Sequence, residues 1–411
     1  MTRERPTHIP MAQFNVVDGC LQIGGMPLPA LADRVGETPF YAYDRQLITQ
    51  RVSELRAKLP TGIELHYAMK ANPMPAVVQH LAGLVDGLDV ASGGELRVAL
   101  DTGTSPSEIS FAGPGKRDAE LAQALSAGIT VNLESFGEME RLALLGDKHG
   151  RRPNVAVRIN PDFELKASGM KMGGGPKVFG VDAELVPEML SRMRELDLAF
   201  RGFHIFTGSQ NLRAESLFEA HDKTFELAYR LADDAPSPPH FLNIGGGLGI
   251  PYFPGDQPID LAAVGDHLHQ HVRTARERLG DTKLVMELGR YMVGEAGIYV
   301  ARVIDRKVSR GHVYLVTDGG LHHHLAASGN FGQVIRKNYP IAIGQRMGAA
   351  PEENVTITGP LCTPLDLLAE RMDVPRAEVG DLVVVFQSGA YGLTASPLGF
   401  LSHPGPAEVL V

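Results

Sequence analysis

The sequence predicts an α/β protein: a (β/α)8 barrel followed by a separate β domain. Three observations carry this reading. Eight short β-rich runs lie between Ile63 and Gly289, and stretches with helical periodicity separate most of them. After Gly289 strand-like runs continue with little helix between them. Strands alternating with helices eight times is the pattern of a closed barrel, with an open doubly wound sheet as the structural alternative.

Taken in order, residues 1–12 lack the apolar core of a secretory signal and read as a disordered lead-in. Residues 13–38, with FNVVDGCLQIGG, resemble the later β segments and are expected to pair with them. DRQLITQRVSELRAKL then leads into the barrel, assigned to 39–289. Its strands are expected in IELHYAMK, GLDVAS, ISFAG, ITVNLES, NVAVRIN, FRGFHIF, FLNIGGG and KLVMELG. The β domain, 290–411, has its strands in GIYVARVIDRKV, HVYLVTDGG, NVTITG, DLVVVFQSG and AEVLV. KASGMKMGGGPKVFG reads as a mobile loop near the barrel mouth and lacks the GK[ST] ending of a nucleotide P-loop.

Composition bounds the function only loosely. The 411 residues are 44% hydrophobic and 21% charged, ordinary for a soluble globular chain. Two cysteines make no disulfide framework and suit a reducing cytoplasm. A formal charge of −9 without long basic runs argues against nucleic acid as the main partner, and no apolar run is long enough to span a bilayer.

In a barrel, functional groups collect at the C-terminal ends of the strands. Lys70 ends the first run, and a strand-end lysine is either a Schiff-base former or a solvated surface lysine. Gly245, Gly246 and Gly247 follow an apolar strand, where glycine lets backbone N–H groups approach a phosphate; a plain turn is the alternative. Ser209, at another strand end, offers a further phosphate donor. Glu287 and Arg290 flank the last strand end, either as a pyridine-nitrogen carboxylate and a phosphate-binding guanidinium or as a structural ion pair. Cys362 is a proton-donor candidate or a buried inert thiol, and Tyr391 a cofactor contact or a core aromatic. On a strand, His322 and His324 would share one face, with His323 opposite. No third ligand stands at metal-ligand spacing, so an active-site role is expected there and no metal site.

In this order, YAMKAN, DVASGGEL from Asp89, GFHIFTGSQ, NIGGGLGIPY, ELGRYMVGEAG, TDGG, GPLCTPLD, GAYGLTASPLGF and PAEVLV resemble the alanine-racemase-fold (fold type III) pyridoxal phosphate (PLP) decarboxylases. That group includes diaminopimelate, ornithine and arginine decarboxylases, and the likeness runs from about Phe14 to Val411. It implies a PLP-binding barrel plus C-terminal β domain, assembled as a head-to-tail homodimer with shared active sites. It also implies Lys70 as the lysine that binds PLP and Glu287 at the ring nitrogen. Gly245 to Gly247, Ser209 and Arg290 would surround the phosphate, Asp89 and Tyr391 would contact the cofactor, and Cys362 would reach the partner's site.

The chain departs from that pattern at four places. Phe206 stands where a histidine usually stacks on the ring, with His204 two residues earlier on the same side. Leu288 replaces a usual proline. Thr363 follows Cys362 where diaminopimelate decarboxylases have a glutamate for the distal amine, and Ala326 occupies the place of their distal-carboxylate arginine. Losing both anchors predicts an amino acid decarboxylase whose substrate is not free diaminopimelate. The segment HHHLAASGNFGQVIRKNYPIAIG resembles the branch associated with exosortase systems and carrier-protein-bound aminoacyl groups, so the distal end is expected to be neutral or tethered as a thioester. His322, His324, Arg336, Thr363 and Asp366 are the substrate-side candidates, with Arg336 and Lys337 facing a phosphopantetheine phosphate or an acidic carrier. The alternatives are a true diaminopimelate decarboxylase of lysine biosynthesis and a racemase of the same fold. Racemases of this fold set arginine against the ring nitrogen and use tyrosine as a second base, so Glu287 and Cys362 favour decarboxylation.

Overall fold

A computed structural model describes residues 6–164, 170–171 and 173–411. The loop expected at 166–180 therefore lies partly outside the described residues. Among the described residues no helix is long and apolar enough to cross a membrane. The chain divides into two compact units, one of residues 51–250 and 258–289, the other of residues 1–50, 251–257 and 290–411.

The first unit is a closed ring of eight parallel strands: Ile63–Ala68, Gly87–Val90, Ile109–Phe111, Thr130–Leu133, Asn154–Asn160, Ala199–Ile205, Phe241–Asn243 and Lys283–Leu288. Each pairs in parallel with the next, and the last returns to the first with Glu287 level with His66. The period of two sorts the side chains. Leu65, Leu88, Val131, Val157, Phe203 and Met286 are fully or almost fully buried on alternate positions, and burying each contributes about 1.5–3 kcal/mol. The intervening positions are polar and bond to one another across strands. Ser110 Oγ donates to Asp89 Oδ1 at 2.5 Å, Asn132 donates to Ser110 at 3.0 Å, and His66 Nδ1 lies 3.4 Å from Asp89. The barrel interior is thus a polar network whose cost these hydrogen bonds offset in part, since His66 Nε2, Asp89 Oδ2 and Asn132 Oδ1 find no partner among the described residues.

Helices follow the strands, and their starts explain part of the motif pattern. In SGGEL, Ser92 Oγ accepts from Glu95 N at 3.1 Å, while the Glu95 carboxylate accepts from Ala91 N at 2.7 Å. Ser92 thus caps the helix Gly93–Asp101, and the Glu95 carboxylate ties back to the residue before the cap.

The second unit is built on the long strand Gly297–Ser309, which pairs with His312–Thr317, Leu382–Val385 and Phe40–Tyr43. Ala407–Leu410 then pairs in parallel with Phe40–Tyr43. The strand at 40–43 thus belongs to this sheet, although the sequence reading begins the barrel at 39. FYAY is buried along its whole length, and its register partners are the apolar residues of Gly297–Val300 rather than a barrel strand. Besides Phe40–Tyr43, the strands Ile341–Ile343 and Leu367–Val374 also escaped the sequence reading. Phe14, Leu21, Leu28, Phe40, Ile298 and Val384 form the core of this unit.

Candidate active site

The barrel unit gathers the expected groups at its C-terminal end. Strand Ile63–Ala68 runs straight into a single 3-10 turn, Met69–Ala71, that carries Lys70. Asn72 shapes this turn: its side chain accepts from Met74 N at 3.1 Å, and its carbonyl accepts from Tyr67 Oη at 2.8 Å. The Lys70 side chain keeps 42% exposure, with Nζ 3.9 Å from Glu287 Oε1 and 5.6 Å from the centre of the Phe206 ring.

Glu287 is the charged centre of this end. Its side chain is 6% exposed, His204 Nε2 lies 3.0 Å from Oε2, and Asn243 Nδ2 donates to Oε2 at 3.4 Å. The 3.0 Å approach is an ion-pair distance but not a well-aimed hydrogen bond, because the His204 ring nitrogens find no partner of good angle among the described residues. Burial alone would raise the Glu287 carboxyl. His204, Lys70 and Arg158 outweigh it and hold the group well below the ordinary carboxylate range, so it stays ionised.

The glycine turn lies directly on this strand end. Glu287 N donates to Gly245 O at 2.9 Å, and Gly245 N donates to Asn243 Oδ1 at 2.8 Å. A Cβ on Gly246 would fall 2.0 Å from the Glu287 carbonyl, and Gly245 and Gly247 have φ of +71° and +81°. Any side chain here would clash with the backbone, so the close approach requires glycine. Ser209 follows the strand that carries His204, four residues past its end at Ile205, and its backbone pairs with that of Met170.

Other expected residues fall elsewhere. The partners of Asp89 are Ser110 and His66, and it lines a cavity of about 1080 Å³ whose other walls include strand-start residues such as Glu64, Phe241 and Lys283. That cavity opens at the end of the barrel opposite Lys70, so volume does not mark the chemistry here.

In the second unit, Arg290 Nη1 donates to Tyr252 Oη at 2.7 Å, and its guanidinium lies 4.7 Å from the Tyr391 ring centre. Tyr391 adopts a left-handed φ of 52°, a conformation costly for a bulky residue and concentrated at functional sites. Sequence reasoning missed Tyr252; its place in GIPY, just after the glycine run, was the available signal. Cys362 is exposed, which removes the buried-thiol alternative.

His322–His324 are not on a strand. They lie in a turn in which the N–H groups of His323 and His324 both donate to Gly320 O, because the preceding glycines bend the chain there. All three are buried. His324 Nε2 is 2.9 Å from Ser388 Oγ and Nδ1 accepts from Ala327 N, while burial pushes its pKa down to about 3. Burial, with His323 and His403 adding to it, lowers His322 to about 4. Both ring nitrogens of His324 are thus engaged within its own unit. Asp366 is likewise engaged by its own unit. It is buried, Oδ1 accepts from Leu321 N at 2.6 Å, and Oδ2 accepts from Leu361 N at 2.8 Å. A Cβ on Gly320 or Gly359 would lie 2.1 or 2.4 Å from it, so this carboxylate ties TDGG to GPLCTPLD. Arg336 is half-buried and donates to the Ser328 carbonyl, and Lys337 is exposed. Thr363 Oγ1 accepts from Leu365 N at 3.3 Å within its loop.

Residues 45–294 match the family model "Pyridoxal-dependent decarboxylase, pyridoxal binding domain". The chain belongs to this decarboxylase family. A relative from Niallia circulans, an L-glutamyl-[BtrI acyl-carrier protein] decarboxylase, is 39% identical over 384 residues, 91% of this chain and 89% of that one. The diaminopimelate decarboxylase of Aquifex aeolicus is 33% identical over 406 residues, covering 96% and 91% of the two chains. Among solved structures, the diaminopimelate decarboxylase of M. jannaschii in complex with L-lysine superimposes with a TM-score of 0.87 at 26% identity, over 97% of this chain and 92% of that one. The enzyme is thus a PLP-dependent carboxy-lyase of the alanine-racemase-like fold.

The residues of the barrel mouth fit PLP. An amine stands in reach of solvent, an ionised buried carboxylate suits a protonated ring nitrogen, Phe206 offers a flat face, and the glycine turn leaves no room for a Cβ.

Proposed function

We propose that this decarboxylase acts on an aminoacyl group held on a carrier protein, not on free diaminopimelate. The observation that carries the reading is the pair of neutral residues, Thr363 and Ala326, at the positions where the resemblance calls for a charged anchor to each distal group. The Niallia circulans relative, named for a carrier-linked glutamyl substrate, supports it.

In this reading the amine of Lys70 would hold the cofactor at its aldehyde carbon. When bound, PLP supplies an electron sink for the pair left on Cα as carbon dioxide departs. Glu287 keeps a proton on the ring nitrogen, and His204 positions that carboxylate while helping to keep it ionised. Phe206 would pack against the ring with its flat face. Ser209 and Gly245–Gly247 take the phosphate, and Arg290 and Tyr391 are further cofactor contacts; Asp89 acts through the inner network. Cys362, exposed on its loop, protonates Cα in the active site of a second copy, which makes the working unit a homodimer. Arg336 and Lys337 face the carrier's phosphopantetheine arm or its acidic surface, and His322 and Thr363 border the substrate. Two free cysteines support a cytoplasmic setting.

Mass spectrometry of free and carrier-loaded amino acids incubated with the enzyme tests this. Carrier-linked substrate is expected to lose carbon dioxide at least about 100-fold more efficiently than free diaminopimelate, the scale of a lost charged contact. Comparable turnover of the two would overturn the proposal and favour the diaminopimelate reading.

A further inference from the structure

On the outside of the barrel, helices Ala214–Ala232 and Leu261–Leu279 pack together, and three ligand atoms converge between them. Asp222 comes from the first helix; His267 and His271, one turn apart, come from the second. His267 Nε2 and His271 Nε2 lie 2.9 and 2.7 Å from the same oxygen, Asp222 Oδ1, and 3.3 Å from each other. With metal–nitrogen bonds of about 2.0–2.1 Å, two ligands of a tetrahedral ion stand roughly 3.3 Å apart, so the imidazoles already hold that separation. Their orientation is set by packing. Phe218 stacks on His267 with ring centres 4.4 Å apart and planes 19° apart, and Phe225 stacks on His271 at 4.5 Å and 5°. Each phenyl ring holds its histidine in place, and both Nε2 edges point at the carboxylate.

We propose that Asp222, His267 and His271 form a three-ligand site for a divalent first-row cation of the zinc class, with water in the remaining position. Side-chain exposures of 52%, 24% and 17% leave an entry path and room for that water. Two imidazoles and one carboxylate suit this class of ion better than calcium or magnesium, which prefer all-oxygen shells. The ion clamps the helix that follows the strand of His204 to the helix that follows the strand of Asn243. Its role is to brace the barrel from outside, away from the reacting groups. A second convergence, Glu64, His66 and Glu108, is the weaker candidate, because Lys283 already sits 3.1 and 3.3 Å from its two carboxylates.

The test is titration of metal-stripped, PLP-loaded full-length enzyme with cobalt(II) and with zinc(II) chloride. One equivalent of cobalt per chain is expected to give visible ligand-field absorption. Zinc at about 100 times its Kd is expected to raise Tm by about 3 °C. His271→Gln and Asp222→Asn are each expected to abolish both responses while leaving decarboxylase turnover within about twofold. Absence of stoichiometric cobalt binding, or no zinc-induced rise in Tm, would reduce the cluster to a hydrogen-bonded triad and overturn the proposal. Persistence of both responses in the variants would place the ion elsewhere, on the exposed Cys362 thiol or the cofactor, and would overturn it equally.

Discussion

The barrel mouth and the GPLCTPLD region look equally chemical in sequence, yet their polar side chains have different fates. At the mouth, Lys70, Phe206, His204 and Glu287 come from three strand ends and meet within 6 Å, and the amine keeps much of its exposure. In the second unit, Asp366 and His324 are buried and consumed by backbone and hydroxyl partners, while Cys362 is exposed. A motif is thus a mixture of residues that react and residues that hold a loop in shape. The hydrogen-bond partners separate them: a carboxylate satisfied by two backbone N–H groups is architecture, while one beside an amine and an imidazole is poised for a charged ligand.

Removing the amine should have the largest effect. Lys70→Ala is expected to lower turnover by at least about 1,000-fold, and borohydride reduction followed by peptide mapping should tag residue 70 in the wild type alone. A label on another lysine would break the comparison at its strongest point. Glu287→Gln comes next, with kcat down by about 100- to 1,000-fold while the variant still binds PLP, checked by its absorption spectrum.

His204→Gln is expected to cost about tenfold in kcat at neutral pH, and its signature is the pH profile. Glu287 has a pKa depressed in the folded enzyme, so its ionised form persists as pH falls until that low value is reached. Without His204 the carboxyl rises toward its ordinary range, and the acid limb of kcat/KM should move to higher pH. An unmoved limb would show that His204 does not act through Glu287.

Much of the barrel was legible because each strand is a β-rich run, buried along nearly its whole length, from Ile63–Ala68 to Lys283–Leu288. The groups at its mouth were legible because strand ends in this architecture converge. The second unit was harder to read. Leu367–Val374, LLAERMDV, carries no β-branched residue until its end, so only its pairing with Glu353–Thr358 makes it a strand. His322–His324 has strand-like neighbours, yet the Gly320 carbonyl captures two of its N–H groups and closes a turn. The Asp222 cluster was missed because only the i, i+4 spacing of His267 and His271 is local, while the carboxylate is 49 residues before His271. Pairings of that kind are set by helix packing, which periodicity does not reveal.

The smallest effect on chemistry is expected at Asp366, which makes it the sharpest control on the comparison. Asp366→Ala leaves the N–H groups of Leu321 and Leu361 without their acceptors inside a buried loop junction. Each bond to a charged acceptor contributes about 1.5–3 kcal/mol, so the variant should lose about 3 kcal/mol of stability in denaturant unfolding. Asp366→Asn keeps one acceptor oxygen and should recover part of that loss. In both variants kcat per folded, PLP-loaded enzyme should stay within about threefold of wild type, because the carboxylate holds TDGG against GPLCTPLD and touches no reacting atom. If kcat instead falls as far as in Glu287→Gln while stability is unchanged, Asp366 belongs with the reacting groups after all, and satisfied hydrogen bonds do not distinguish the two regions.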